Sequence, residues 1–166
     1  MINWYAIYTR PRHEKKVNEA LNEKGIETFL PLIKKISQWK DRKKKIDAPL
    51  FNGYLFVHID YKGRFSVLQT KGVVKIVNFS SEPVVVPDWQ IDSLKKMLTK
   101  PEKVQLETYM KVGDPVVIDF GPFKGMKGVV KTIKGQQRLI ITIDGIMQTV
   151  SVEISADEVK KISGDK

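Results

Sequence analysis

The residue types that usually do chemistry are scarce in this sequence, or badly spaced for it. No cysteine occurs among its 166 residues, which removes disulfides, thiolate nucleophiles and thiolate zinc sites together. The two histidines, His13 and His58, fall in different predicted elements and lack the spacing of a metal pair. Asp41 and Asp47 are the nearest approach to paired carboxylates, but they lie in a lysine-rich hairpin where charge balancing accounts for them. No Gly-Lys dipeptide occurs, so a P-loop is excluded, and no GxGxxG follows a strand. These residues point away from catalysis; no enzyme activity, cofactor or metal is expected.

What remains is binding chemistry. The net charge is +10, an excess that draws the chain towards polyanions through counterion release and long-range attraction. Residues 1–99 carry 18 Lys/Arg against 10 Asp/Glu, whereas residues 111–166 carry 9 against 7, so the excess belongs to the front. One cluster, Arg10, Arg12, His13, Lys15 and Lys16, gathers where a helix is predicted to start. Cations there oppose the helix dipole, so they serve anion binding better than stability. A second, Lys34 to Lys45, holds seven Lys/Arg, Arg42 among them, around Trp39. A basic hairpin with an aromatic suits phosphate contact plus base stacking; a merely solvated hairpin is the alternative.

Two further groups are uncharged. Trp4 and Tyr8 would share one face of a first strand, and Tyr54 and Phe56 one face of another, with Phe51 just before it. Were these strands neighbours with matched faces, the rings would make a patch for a protein partner; burial of both faces is the alternative. The other group is Gly121-Pro122-Phe123-Lys124-Gly125-Met126-Lys127-Gly128, where the glycines permit a tight loop and Phe123 can fold back as an anchor.

The elements that must position these groups divide into two textures. Residues 1–98 mix strands with helices. Trp4–Tyr8 is β-prone. Val17, Ala20 and Leu21 recur at helical spacing up to Gly25, which suits a helix C-terminus. Gly53–Asp60 alternates cleanly, and Asp88 can cap a helix striped by Ile91, Leu94 and Leu98. The pattern predicts an α+β domain with an antiparallel sheet. Residues 99–110 show no period and read as a linker. Residues 111–166 are short β-runs with glycine-rich breaks, including the hairpin signal Asp144-Gly145, and predict a small all-β barrel. No run is long enough to span a bilayer and no signal peptide leads the chain, so a cytoplasmic location is expected.

Three segments in order resemble the NusG family of transcription elongation factors. WYAIYTRPRHEKKV from Trp4 is similar to the opening of the family's N-terminal domain, PLFNGYLFV from Pro49 to its most characteristic stretch, and VGDPVVIDFGPFKGMKGVV from Val112 to its KOW barrel, an SH3-like fold. TRPRHEKKV, PLFNGYLFV and Val85-Val86-Pro87 resemble the specialised branch of RfaH and the polysaccharide-operon antiterminators.

The resemblance implies a monomer whose N-terminal domain docks on the clamp helices of the largest RNA polymerase subunit through Tyr8, Phe51, Tyr54 and Phe56. Docking would suppress pausing and termination, at specific operons in the specialised branch. It implies contact of Arg10 with non-template DNA, with Arg12, Lys15, Lys16, Arg42 and Lys71 as neighbouring candidates. It also implies a small-subunit ribosomal protein or Rho as partner of the KOW domain, met at Phe123. A general NusG-type factor and a ribosome-associated KOW protein are the alternatives. Asp144-Gly145 between β-branched runs departs from RfaH, whose barrel can refold into helices, and predicts a lasting barrel here.

Overall fold

In the computed structural model, residues 1–39, 42–113, 115–155 and 159–161 are described; the Lys40-Asp41 hairpin tip and the side chain of Trp39 lie outside them. Strand β1 (Ile2–Thr9) leads into helix α1 (Glu14–Glu23), then β2 (Glu27–Phe29), the hairpin β3 (Leu32–Trp39) and β4 (Arg42–Pro49), and β5 (Tyr54–Asp60). Helix α2 (Arg64–Leu68) precedes β6 (Val73–Ile76), the short hairpin β7 (Asn78–Phe79) and β8 (Glu82–Pro83), and β9 (Val85–Val86). Helix α3 (Asp88–Met97) is followed by β10 (Val104–Glu107), β11 (Val116–Ile118), β12 (Lys127–Ile133), β13 (Gln136–Ile143), β14 (Gln148–Glu153) and β15 (Val159–Lys161).

The chain divides into two units, residues 1–88 and 89–166. In the first, the sheet order is β2-β5-β1-β6, with β9 also on β1. Strands β1 and β5 are antiparallel neighbours from Ile2 opposite Asp60 to Tyr8 opposite Tyr54. That register sorts the side chains by face. Tyr5, Ile7, Leu55, Val57 and Ile59 turn to one side and pack with Val17 and Leu21 of α1 and Val67 of α2 as the core. Each fully buried aliphatic in such a core contributes about 1.5–3 kcal/mol. Gly25 takes φ +80° as the helix stop, as its position after α1 predicts. Strands β3 and β4 form a separate two-stranded ribbon.

The second unit is an antiparallel sheet in the order β10-β14-β13-β12-β11-β15. The Asp144-Gly145 hairpin forms between β13 and β14, but through a single 3-10 turn with Met147 left-handed at φ 51° rather than a two-residue turn. Two segments join this unit that the sequence reading places elsewhere. Helix α3, expected in the first domain, has its Gln90 Nε2 donating to Thr142 O at 3.2 Å and its Ser93 Oγ accepting from Lys127 N at 3.2 Å. The expected linker holds β10, paired with β14 from Val104 opposite Val152 to Glu107 opposite Thr149. A buried cation explains its attachment. Arg138, 4% exposed, donates to Lys103 O at 2.7 Å and to Ser151 Oγ at 2.6 Å, and Ser151 Oγ donates in turn to the Glu107 carboxylate. Burial lowers the Arg138 pKa, against the opposing pull of Glu107 and Glu153. Removing either charge of such a group strands the other without water, so β10 is locked by the network it completes. Among the described residues no helix is long and apolar enough to cross a membrane.

Candidate docking face and basic cleft

The second face of the β1–β5 pair carries Trp4 opposite His58, Ala6 opposite Phe56 and Tyr8 opposite Tyr54. The matched faces anticipated from the sequence are therefore present. The Tyr8 and Tyr54 rings lie 5.3 Å apart, Phe51 meets Phe56 edge-on at 6.3 Å, and Phe29 of β2 stacks on Phe56 at 6.1 Å. The four expected docking aromatics thus form two ring pairs, Tyr8 with Tyr54 and Phe51 with Phe56, with Tyr54 and Phe56 on the same face of β5. Their exposure differs, however. Phe51 and Phe56 are buried, Tyr54 is half-buried and Tyr8 is 36% exposed, so the two tyrosines form the reachable surface. Phe29 was missed because β2 is only three residues long and shows no alternation. His58 stacks on Trp4 at 4.6 Å and bonds Glu27 Oε1 at 2.8 Å through Nδ1, so it has the hydrogen-bond partner expected of a strand histidine.

Burial, and then the neighbouring Tyr8, push the Tyr54 phenol above its ordinary value of 10.0. A raised folded-state pKa means the folded chain holds this proton more tightly than the unfolded one. The resulting stabilisation is complete below pH 10 and is lost as pH rises through the folded-state value. Tyrosinate absorbance followed against pH should therefore show a late-ionising phase to which Tyr54 contributes, beside Tyr109 held up by its hydrogen bond to Asp144, and Tyr54→Phe should remove the Tyr54 share; an undiminished late phase in Tyr54→Phe would contradict this.

The cluster is held from below by a side chain that the sequence reading passed over. Glu14, in the first turn of α1, is 6% exposed, and its Oε2 accepts from Gly53 N at 2.7 Å. Gly53 O accepts in turn from Thr9 N at 2.8 Å. Gly53 has φ +87°, and a Cβ there would sit 3.2 Å from the Tyr8 ring. The turn that carries Phe51 thus needs glycine for conformation and for contact.

Beside it opens a cleft of about 570 Å³ between the start of α1 and the base of the ribbon, lined by Pro11, Arg12, Lys15, Ile46, Asp47 and Asn52 among others. Lys15 Nζ donates to Asp47 O at 2.6 Å and Lys34 pairs with the Asp47 carboxylate at 2.6 Å. The Lys34 hydrogen bond, then its charge, hold that carboxyl below its ordinary value. Lys15 therefore ties helix to ribbon, while Arg10, Arg12 and Lys16 stay exposed. Arg12 adopts φ 65°, unusual for a residue with a Cβ. Arg10 N donates to Gly72 O at 2.9 Å, which brings the Lys71 turn to the same side. Arg42 stands apart. It is opposite Trp39 at the far end of the ribbon, about 24 Å from the base at strand spacing.

Phe123 of the second unit is 1% exposed, and its turn closes through Gly125 N to Ile118 O at 2.9 Å and Met126 N to Phe123 O at 3.0 Å. Here the ring is an anchor. Among the described residues no group of three or more His, Asp or Glu gathers that could hold a metal.

Comparison with known proteins adds an independent line. A family model described as transcription termination factor NusG matches residues 2–95. The transcription termination/antitermination protein NusG of Staphylococcus epidermidis is 30% identical, with 96% of this chain and 95% of that protein aligned. Its namesake from Thermus thermophilus is 26% identical over 93% of this chain and 96% of its own length. A solved structure of Thermotoga maritima NusG superposes with a TM-score of 0.54 at 26% identity, covering 98% of both chains.

Proposed function

The chain belongs to the NusG family, and on that premise we propose that it is a transcription elongation and antitermination factor that docks on the clamp helices of RNA polymerase. The observation that carries this reading is the pairing of Tyr8 with Tyr54, a reachable pair of rings on the face of the sheet that also holds buried Phe56, with the core on the other face. Docking there would hold the clamp closed and favour the elongating state, a shift of population in which no bond is made or broken. The relatives' names support a general NusG-type role. The finer part of the proposal is operon-specific action, supported by the exposed Arg10, Arg12 and Lys16 beside the cleft and by the exposed Arg42 opposite Trp39 at the end of the ribbon. In this reading the first unit, residues 1–88, acts on polymerase, and the second carries the KOW barrel of residues 111–166 that meets a ribosomal protein or Rho. Phe123 would reach such a partner only after its turn opens. A family match over residues 2–95 supports the transcription reading over the ribosome-associated alternative, which draws on the C-terminal half alone.

Co-purification after nuclease treatment tests the core of the proposal: polymerase subunits should follow the tagged protein, and ribosomal subunits in their place would refute it. Paused transcription on several leader templates tests the finer part. Arg10→Ala is expected to lose read-through on the responsive leader while keeping general pause suppression. Equal loss on every leader would assign Arg10 to docking instead.

A further inference from the structure

Residues 61–81 carry Lys62, Arg64, Lys71 and Lys75 and no carboxylate. Lys62 lies beside Asp60, whose carboxylate also receives the N-terminal ammonium at 3.2 Å, but Arg64 and Lys71 have no ion pair among the described residues. Arg64 is fixed in another way. Its guanidinium carbon lies 4.6 Å from the centroid of the Tyr61 ring and 4.6 Å from that of Phe65, and its Nη1 donates to Tyr61 O at 3.2 Å. Tyr61 is rooted in the core, its ring 5.5 Å from that of buried Tyr5. Phe65 nevertheless keeps 59% of its surface open, and Leu68, one helical turn on, keeps 38%. A planar cation held against aromatic rings loses little further freedom when another flat group stacks beside it.

The cations continue from this stack along α2. Lys24 Nζ reaches Ser66 O and Thr70 Oγ1, each at 2.8 Å, Lys71 follows, and Gly72 O accepts the amide of Arg10. A line of positive charge thus runs from the Arg10 side of the cleft to an open aromatic ring. A basic track ending on an open aromatic ring suits a partner that is anionic and flat-faced, and single-stranded nucleic acid has both properties in every nucleotide. We infer that Tyr61, Arg64 and Phe65 form a base-stacking platform for single-stranded nucleic acid, fed by a phosphate track over Lys24, Lys71 and Arg10. The inference rests on the proposed nucleic-acid contact at Arg10 and extends it to the far end of α2.

The test is fluorescence anisotropy with short labelled oligothymidylate and oligouridylate across a salt series; the tighter strand identifies DNA or RNA as the source. Phe65→Ala should weaken that strand about tenfold with little change in salt dependence, Phe65→Trp should restore it, and Lys71→Gln should lower the salt slope by about one. Phe65 is exposed, so unchanged circular dichroism and melting are expected. Wild-type affinity in Phe65→Ala alongside loss in Arg10→Ala would overturn the platform alone. Loss of polymerase binding in Phe65→Ala with oligonucleotide affinity intact would overturn it in favour of a protein contact. No oligonucleotide binding by the wild-type chain would sink the Arg10 contact and the platform together.

Discussion

Tyr54→Ala is expected to abolish pause suppression on every template, with polymerase affinity down by about 2–4 kcal/mol, roughly 30- to 1,000-fold. Hot spots of that size come from aromatic groups that are presented on a rigid support and become desolvated on binding. Tyr54 meets both conditions. It opens β5, directly opposite Tyr8, on the same face as Phe56 of the buried Phe51–Phe56 pair. Its half-burial leaves ring surface to lose to a partner, and its sheet position means that little freedom remains to be lost. Tyr54→Phe keeps the ring and should bind within a few-fold of wild type, separating the apolar contact from the hydroxyl. The companion Glu14→Gln keeps the Gly53 hydrogen bond possible and should bind almost normally, whereas Glu14→Ala leaves Gly53 N buried without its acceptor and should loosen the Phe51 turn. Melting of each variant shows whether the loss belongs to docking or to the fold. Retained read-through in a folded Tyr54→Ala protein would overturn the assignment of this face.

That face was legible because one physical rule writes it twice. Strict alternation from Tyr54 to Ile59 and the Trp4–Tyr8 run each assign residues to faces, and antiparallel pairing then needs only a register. Charge misled in one respect and informed in another. The clusters at Arg10–Lys16 and Lys34–Lys45 stand out by composition, yet composition does not distinguish Lys15, spent on Asp47 O, from Arg12, which lies exposed beside the cleft. Glu14 was invisible for the same reason: within RPRHEKK it reads as one more solvated charge, and only the return of Gly53, 39 residues later, shows that it is buried. Strand β10 reads as linker in the sequence because Val104-Gln105-Leu106-Glu107 is too short and polar to signal a period. Its stability comes from Arg138, 35 residues from Lys103 in sequence, and contacts at that separation leave no local trace. The open Phe65 was likewise hidden in a helix of five residues, whose two faces cannot be told apart by spacing alone.

Gly128→Ala should cost the second unit about 2–3 kcal/mol and lower its melting temperature by roughly 10–20 °C. The glycine is buried in β12, opposite Val116 of β11. Its backbone conformation is ordinary, so the argument is contact alone. A Cβ there would lie 2.8 Å from Ile140 O, 2.9 Å from Leu139 Cγ and 3.2 Å from Leu139 Cδ1. The carbonyl is backbone, fixed in the β12–β13 ladder, and cannot swing aside as a side-chain tip would. Leu139 is fully buried and has no free rotamer space to enter. Relief therefore requires β12 and β13 to part, which weakens the pairing of Val129 with Ile140 and of Val130 with Leu139 together. Gly113→Ala supplies the contrast in the same unit, since a Cβ there meets nothing within 4 Å. It should be neutral or slightly stabilising through loss of unfolded-state freedom. Calorimetry of the two variants decides the matter: equal melting temperatures would mean that the strands yield at Gly128, and that the close approach is not what the glycine in Lys127-Gly128-Val129-Val130 is for.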